Sequence, residues 1–360
     1  MDRYWIAFSS IESVDSVFVQ RLYNYFGDIE TAYNASQGEL SQIDGLSIRK
    51  SEKFIEQRKK FDINQTTDEV LRRGISYITF DNPKYPPMLK QIEDAPIVLY
   101  YKGNLEDCNL EKTLAIVGSR RASYHAKDAV EKIVSELEGT DICIVSGLAS
   151  GIDTSAHTSA LKHGLKTIGV IASGFDYVYP ASNKGLYEQI ENGGGAVVTE
   201  YYPTMEPLKF RFPQRNRIVS GLSYGTLVAE ASLKSGALIT ANLTLEQGRE
   251  LLCIPGLISN PNTEGIYKLL KNGATLTTCA KDILEALNWE IKIPEQLKMD
   301  LSGLNETELK IVDAVEIEEK GFDEISSQTG INTEDLLMYL TTLELRGIIK
   351  QVNGDRYKKV

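Results

Sequence analysis

The segment Pro207-Leu208-Lys209-Phe210-Arg211-Phe212-Pro213-Gln214-Arg215-Asn216-Arg217 alternates cations with aromatics. Guanidinium and ammonium groups hold phosphates while unpaired bases stack on Phe faces, so this spacing suits a single nucleic-acid strand. The competing reading makes Phe210 and Phe212 core residues and the cations a solvated fringe. Against it stand four cations with no acid anywhere in Pro207–Ala229. Pro213 close to a helix start would place Arg215 and Arg217 in the first turn, beside the positive end of the helix dipole.

Two glycine-rich loops offer related chemistry. Gly118-Ser119-Arg120-Arg121-Ala122-Ser123 follows the apolar run Leu114–Val117 and opens a helix, so its backbone N–H groups can face an anion, with Arg120 adding a bidentate phosphate contact. The alternative is that Gly118 only permits a tight turn and both arginines are solvated. Ser146-Gly147-Leu148-Ala149-Ser150-Gly151-Ile152-Asp153 is the second loop, and Asp153 is expected to cap the helix that follows. It lacks the GxGxxG spacing, and no acid ends a strand about twenty positions later, which disfavours a dinucleotide site. His157 is a candidate general base. Without a nucleophile or partner at recognisable spacing it reads as a structural histidine, and no catalytic residue, metal or cofactor is assigned.

The net charge of −11 and pI near 5.0 argue against a generic polyanion binder. Yet three windows, Thr113–Lys127, Thr154–Phe175 and Pro207–Ala229, contain no Asp or Glu. Positive charge is therefore sorted along the chain. Cys108, Cys143, Cys253 and Cys279 are far apart with no CxxC and read as buried thiols rather than metal ligands. No stretch has the length of a signal peptide or membrane span, so a cytoplasmic protein with no membrane contact is expected.

These residues need a frame to converge. Strand-like runs at Leu114–Val117, Ile142–Ser146, Thr167–Ile171, Ala196–Glu200, Thr226–Ala229, Leu251–Ile254 and Ala274–Thr277 alternate with helical stretches at Tyr124–Glu138, Thr154–His163, Asn183–Asn192, Gln214–Leu222, Ala237–Arg249 and Glu264–Lys271. That rhythm builds a doubly wound α/β domain whose right-handed crossovers gather the strand-to-helix loops at one edge. Residues 1–75 read as a small helical domain. The domain is SAM-like or helix–hairpin–helix-like: its segment Ile43–Ser47 and the basic helix after it (Arg49, Lys50, Lys53, Arg58, Lys59, Lys60) suggest either a helix–hairpin–helix phosphate contact or plain packing, with Glu52 and Glu56 pairing along the helix. Residues 291–303 read as a linker. Residues 304–360 have a winged-helix outline: helices Leu304–Val315, Phe322–Thr329 and Thr333–Arg346, then Gly347–Lys350 paired with Arg356–Val360 around Asn353-Gly354. Seven Lys/Arg against twelve Asp/Glu in residues 301–360 favour protein contact over DNA reading for this module.

GSRRAS at 118–123, SGLASGIDTSAH at 146–157, SGFDYVYPASNKGL at 173–186, FPQRNRIVSGLS at 212–223, SGALITA at 235–241 and IPG at 254–256 together resemble the DNA-processing protein A family (DprA, or Smf), in its order and spacing. FDNPKYPPMLKQIEDAPIVLYYKGN at 80–104 is similar to the family's lead-in to the sheet. The resemblance implies an extended Rossmann-like domain over 76–290 that forms a homodimer, binds and protects incoming single-stranded DNA and loads the RecA recombinase during natural transformation. It places Ser119 and Arg120 in the phosphate loop, Lys184 after the family's YP–N stretch, and Lys209, Phe212, Arg215 and Arg217 in the basic segment of the DNA pocket. The expected DNA-contacting set is Gly118, Ser119, Arg120, Arg121, Gly147, Asn183, Lys184, Lys209, Phe212, Arg215 and Arg217. Two rivals remain. A nucleotide phosphoribohydrolase would use a PGGxGTxxE motif, but Gly221–Glu230 lacks PGG and carries Glu230 one residue late. A ligand-sensing transcription regulator would read duplex DNA with the C-terminal module.

Overall fold

The computed structural model describes residues 2–290, 304–315, 318–352 and 355–359, which fall into two compact units divided after residue 294. In the first unit the strands are β1 (Ser76–Thr79), β2 (Val98–Gly103), β3 (Thr113–Gly118), β4 (Cys143–Ser146), β5 (Thr167–Val170), β6 (Gly195–Thr199), β7 (Gly225–Glu230), β8 (Glu250–Cys253) and β9 (Thr275–Leu276). They form one sheet in the order β1-β2-β6-β5-β4-β3-β7-β8-β9. From β6 to β9 every pairing is parallel, whereas β1 and β2 extend the β6 edge antiparallel. Chain order runs outward from β3 on one side and from β7 on the other. This is a doubly wound Rossmann-like sheet with its switch point between β3 and β7, where such folds open a crevice beyond the strands' carboxyl ends.

Residue alternation along β3 shows why both faces are covered. Leu114 and Ile116 pack with helices Tyr124–Ser135, Ile152–Lys162 and Ala280–Ala286 through Val130, Ile133, Ala156 and Ile283. Ala115 and Val117 point the other way, into a core with helices Arg211–Gly221, Ala237–Glu246 and Glu264–Lys271 through Ile218, Leu222, Ala241 and Ile266. Each fully buried Val, Leu or Ile contributes about 1.5–3 kcal/mol, so the central strands fix the loops that leave their ends.

Helix boundaries shift from the sequence reading at functionally important places. The basic segment is helical from Arg211, with Pro213 inside the first turn, so Arg215 and Arg217 fall beyond that turn. The helix after the second loop begins at Ile152 with Gly151 as its N-cap, and Asp153 lies within the first turn instead of capping. Strands β1 and β2 were not anticipated.

Residues 2–72 form short helices, several started by side-chain caps from Asp15, Asp28, Ser36 and Asp62. Trp5, Phe8, Phe18, Tyr33 and Phe54 share a core with Val98, Tyr100 and Tyr202, which attaches these helices to the sheet's antiparallel edge. In the basic helix Ile48–Arg58, Lys50 pairs with Asp15, Arg58 donates to the Tyr33 carbonyl, and beyond its end Lys60 lies 3.7 Å from Glu56. Part of this helix's charge is thus tied into the fold, while Arg49, Lys53 and Lys59 are exposed.

The second unit contains helices Glu306–Ala314, Phe322–Thr329 and Thr333–Leu345, with β10 (Lys320–Gly321), β11 (Ile349–Val352) and β12 (Arg356–Lys359) in an antiparallel sheet ordered β10-β12-β11. Ile311, Ile325, Leu336, Leu340, Leu343, Ile349 and Tyr357 make its own core. This is a winged-helix arrangement. The expected linker 291–303 and the Asn353-Gly354 turn lie outside the described residues. Among the described residues no helix is long and apolar enough to cross a membrane.

Candidate nucleic-acid interface

At the switch point the first loop is braced by its neighbours. A Cβ on Gly118 would lie 2.6 Å from Ile152 Cγ1, so only glycine lets β3 approach that helix. The Ser119 N–H donates to the Glu230 carbonyl at 2.8 Å, Ser119 Oγ accepts from the Arg121 N–H at 3.1 Å, and the Ile152 N–H donates to the Ser119 carbonyl at 3.2 Å. Ser123 caps helix Tyr124–Ser135, while its N–H and hydroxyl donate to the buried Glu230 carboxylate at 3.2 and 2.5 Å. Asn260 Nδ2 donates to the same carboxylate at 3.3 Å. The chain's own Glu230 thus takes the position at this helix start that the sequence reading reserved for a bound anion. The Arg120 and Arg121 side chains are left exposed.

The second loop holds the cavity floor. Arg215 is only 4% exposed; its Nη1 donates to the Gly147 carbonyl at 2.6 Å and also to the Val170 carbonyl, joining the ends of β4 and β5. Asp153, also buried, accepts from the Ala149 N–H at 3.3 Å. A Cβ on Gly147 would come 2.7 Å from Asp153 Oδ2 and 2.8 Å from Arg215 Nη2, so glycine is required between them. Burial pushes the Asp153 carboxyl up to about 6, against the opposing pull of the Arg215 charge. Asn183 is buried and donates to the Leu148 carbonyl at 2.9 Å and Thr154 Oγ1 at 3.0 Å, so it ties down the second loop. His157 is wholly buried with Nδ1 2.7 Å from Thr167 Oγ1, and burial pushes its pKa down to about 3, which keeps it neutral.

The basic segment divides once folded. Lys209 is exposed, and Phe212 lies between the Arg120 guanidinium, 5.4 Å from its ring centre, and the Tyr179 ring, 5.2 Å away at 63°. Arg211 and Arg217 turn elsewhere. Arg211 is buried against the Glu206 carbonyl at 2.5 Å and Glu12 at 3.2 Å. Arg217 forms ion pairs with Asp94 at 2.8 Å and Glu200 at 2.6 Å. The acids missing from the local sequence arrive from other elements. Lys184 is exposed, 4.0 Å from Glu188.

A cavity of about 740 Å³ opens here. Of the expected set, Gly118, Ser119, Arg120, Arg121, Gly147, Lys209, Phe212 and Arg215 line it, whereas Asn183, Lys184 and Arg217 do not. Its charged lining is Arg120, Arg121, Lys209 and Arg215 against Asp153 alone. Sequence reasoning missed Tyr179, Asn216, Asn262 and the Ser232–Gly236 turn as lining. The last of these follows β7 at the switch point, so strand order was the signal that could have found it. The arrangement is a concave, mostly apolar site with exposed cations at its mouth and a fixed polar floor, suited to a phosphate-bearing ligand with a flat apolar part.

The family model for DNA recombination-mediator protein A matches residues 76–288, and that for the DprA winged helix domain matches residues 295–355. The chain is 32% identical over 391 residues to Protein Smf of Synechocystis sp., an alignment covering 99% of this chain and 98% of that one. Among solved structures it is similar to DNA processing protein A of Streptococcus pneumoniae, with a TM-score of 0.68 and 37% identity over 78% of this chain and 95% of that chain. It is also similar to DNA processing protein A of Helicobacter pylori, a structure described for its single-stranded DNA binding mode, with a TM-score of 0.53 and 28% identity over 59% of this chain and 96% of that chain.

Proposed function

The chain belongs to the DNA recombination-mediator protein A family, and from that premise we propose that it binds single-stranded DNA at the switch-point cavity and acts as a recombination mediator. The observation that carries this reading is the charge of the cavity: four cations against one carboxylate in a chain of net charge −11. Phosphates sit with Arg120, Arg121 and Lys209, whose side chains are exposed. Arg215 is spent on backbone carbonyls and shapes the floor. Phe212 beneath Arg120 preorganises that guanidinium, lowering the cost of ordering it on binding. A duplex hides its bases in the stack, while a single strand follows a concave surface and presents both phosphate and base to it.

In this reading the protein forms a homodimer, protects incoming DNA and hands it to RecA during natural transformation. A grip made of a few exposed cations exchanges readily, which a mediator requires. The reading assigns no catalytic step. In the rival hydrolase reading Glu230 would be the base, yet its carboxylate is engaged by Ser123 and Asn260.

The test is fluorescence anisotropy on a labelled oligonucleotide, single-stranded and then as duplex, across a salt series. Single strand binds more tightly, and with about three phosphates neutralised log K falls with log[salt] with a slope of about −2. The R120A/K209A double variant weakens binding to all sequences alike and flattens that slope to about −1 or less. The mediator role further requires that RecA filaments nucleate faster on the same strand in the protein's presence. Unchanged affinity and slope in the double variant would overturn the site assignment.

A further inference from the structure

Two aromatic rings line the cavity: Phe212 lies under Arg120, and Tyr179, packed against it at 63°, is 48% exposed. A strand held there by several phosphates presents more bases than the one exposed ring can take, so apolar surface is needed beyond it. The loop after β8 supplies a candidate. It leaves the same carboxyl edge of the sheet, runs through Gly256-Leu257-Ile258-Ser259-Asn260, and returns through Asn262, which lines the cavity. Leu257 is 59% exposed and Ile258 91% exposed, the latter the highest value for a large apolar residue among the described residues. Neither lines the cavity itself, whereas Ile239, which does, is 41% exposed.

Exposed apolar side chains on a floppy tip would mean little, but this tip is braced. The Leu257 carbonyl accepts from the Asn260 N–H at 3.0 Å and from Thr263 Oγ1 at 2.8 Å, and the Tyr267 hydroxyl donates to the Gly256 carbonyl. A Cβ on Gly256 would lie 2.3 Å from Thr263 Cγ2, so the base of the loop is close-packed. Asn260 reaches across to Glu230, the carboxylate that also holds Ser123 after the arginine loop. The apolar tip and the Arg120 loop are therefore anchored to one buried group. Two aliphatic side chains already held on a braced support can make contact with little further ordering cost.

We propose that Leu257 and Ile258, with Ile239 behind them, form the base-contacting wall of the site, taking the faces of unpaired nucleobases while Arg120, Arg121 and Lys209 hold the phosphates. Leu and Ile serve elsewhere as wedges against unstacked bases, and such contact is tolerant of sequence. The inference rests on the single-strand reading above. It adds a second wall of different chemistry to a site otherwise defined by charge.

The experiment compares two probes on the full chain: an oligo-dT strand and an abasic deoxyribose-phosphate strand of equal length. Wild type binds oligo-dT more tightly than the abasic strand. In the L257S/I258S variant, oligo-dT affinity falls about five- to tenfold while abasic affinity holds, so the preference collapses. Both residues are exposed, so the fold tolerates the change, and L257M/I258M restores the preference. R120A/K209A instead lowers affinity for both probes together. Equal loss on both probes in L257S/I258S, or no loss on either, overturns the base wall while leaving the phosphate site standing. A shift of sedimentation to smaller species with base preference intact also overturns it, assigning the tip to contact between copies of the chain. If wild type binds neither probe, the single-strand reading itself fails and takes this inference with it.

Discussion

Asp153 is the sole carboxylate in the cavity lining and faces Arg215, with Arg120 close enough to act on it and the Ala149 N–H donating to it. Burial raises its pKa to about 6, above the ordinary carboxylate value, so the protonated form is favoured in the folded chain. The sign for stability follows: what this group contributes is fully present below about pH 4 and is lost as pH rises through about 6. A phosphate arriving nearby disfavours the charged carboxylate further, so binding takes up a proton. We therefore expect single-strand affinity at constant ionic strength to weaken about three- to tenfold between about pH 5.5 and 7.5, and D153N to flatten that dependence. An unaltered pH profile in D153N would show that the effect does not come from Asp153. At this scale the sequence was informative about residue type and silent about partners. Lys209, Arg215 and Arg217 read alike along the chain, yet Lys209 stands at the cavity mouth, Arg215 binds backbone carbonyls, and Arg217 is neutralised by Asp94 and Glu200. Asp94 lies more than a hundred positions upstream of Arg217, and no local spacing rule reports an acid brought in by tertiary folding.

The elements were more legible, because an apolar strand, a small-residue loop and a helix in repetition admit few arrangements. All seven strand runs expected between residues 114 and 277 occur, within a residue or two at their ends. Strands β1 and β2 escaped because they lie outside the strand–loop–helix alternation and are separated by a stretch with Pro83, Pro86 and Pro87, which reads as irregular chain. Pro213 misled in a different way. Proline is tolerated throughout a helix's first turn, so it marked the turn without marking its first residue, Arg211. What no pattern shows is how the strand-to-helix loops interlock. Gly151 has φ +87°, and a Cβ there would lie 2.2 Å from the Ser119 carbonyl oxygen, so the second loop carries the first on its backbone. The G151A variant should lose about 2–4 kcal/mol of stability through left-handed strain and the clash, read as a lower Tm. It should also weaken DNA binding although no cation has been removed, because Arg120 moves with its loop. A Tm equal to wild type would show that the loops are independent.

Across the whole chain the balance of charge sets the conditions under which the site works. Residues 301–360 hold seven cations and twelve acids, so five of the eleven net negative charges lie in that stretch of the C-terminal unit. Its helix Thr333–Leu345, which a duplex-reading winged helix would lay in a groove, contains no Lys or Arg; it begins with Glu334 and Asp335 and exposes Leu337, Met338 and Leu345. A phosphate backbone gains nothing from that surface, and over a Debye length of about 10 Å at 0.1 M salt the net charge of the unit opposes a polyanion's approach. Each unit has its own core, so a chain ending at residue 290 should stay folded. We expect that shortened chain to bind single-stranded DNA as tightly as the full chain, within about twofold, at about 0.15 M salt, and several-fold more tightly at low salt, where repulsion is unscreened. Anisotropy titrations of the two chains at both salt concentrations decide this. A large loss of affinity at either concentration would make the C-terminal unit part of the DNA grip, and duplex binding by that unit alone would favour the regulator reading. If affinity is retained, phosphate contact is confined to the switch-point edge, and the acidic, apolar helix is left as a surface for protein.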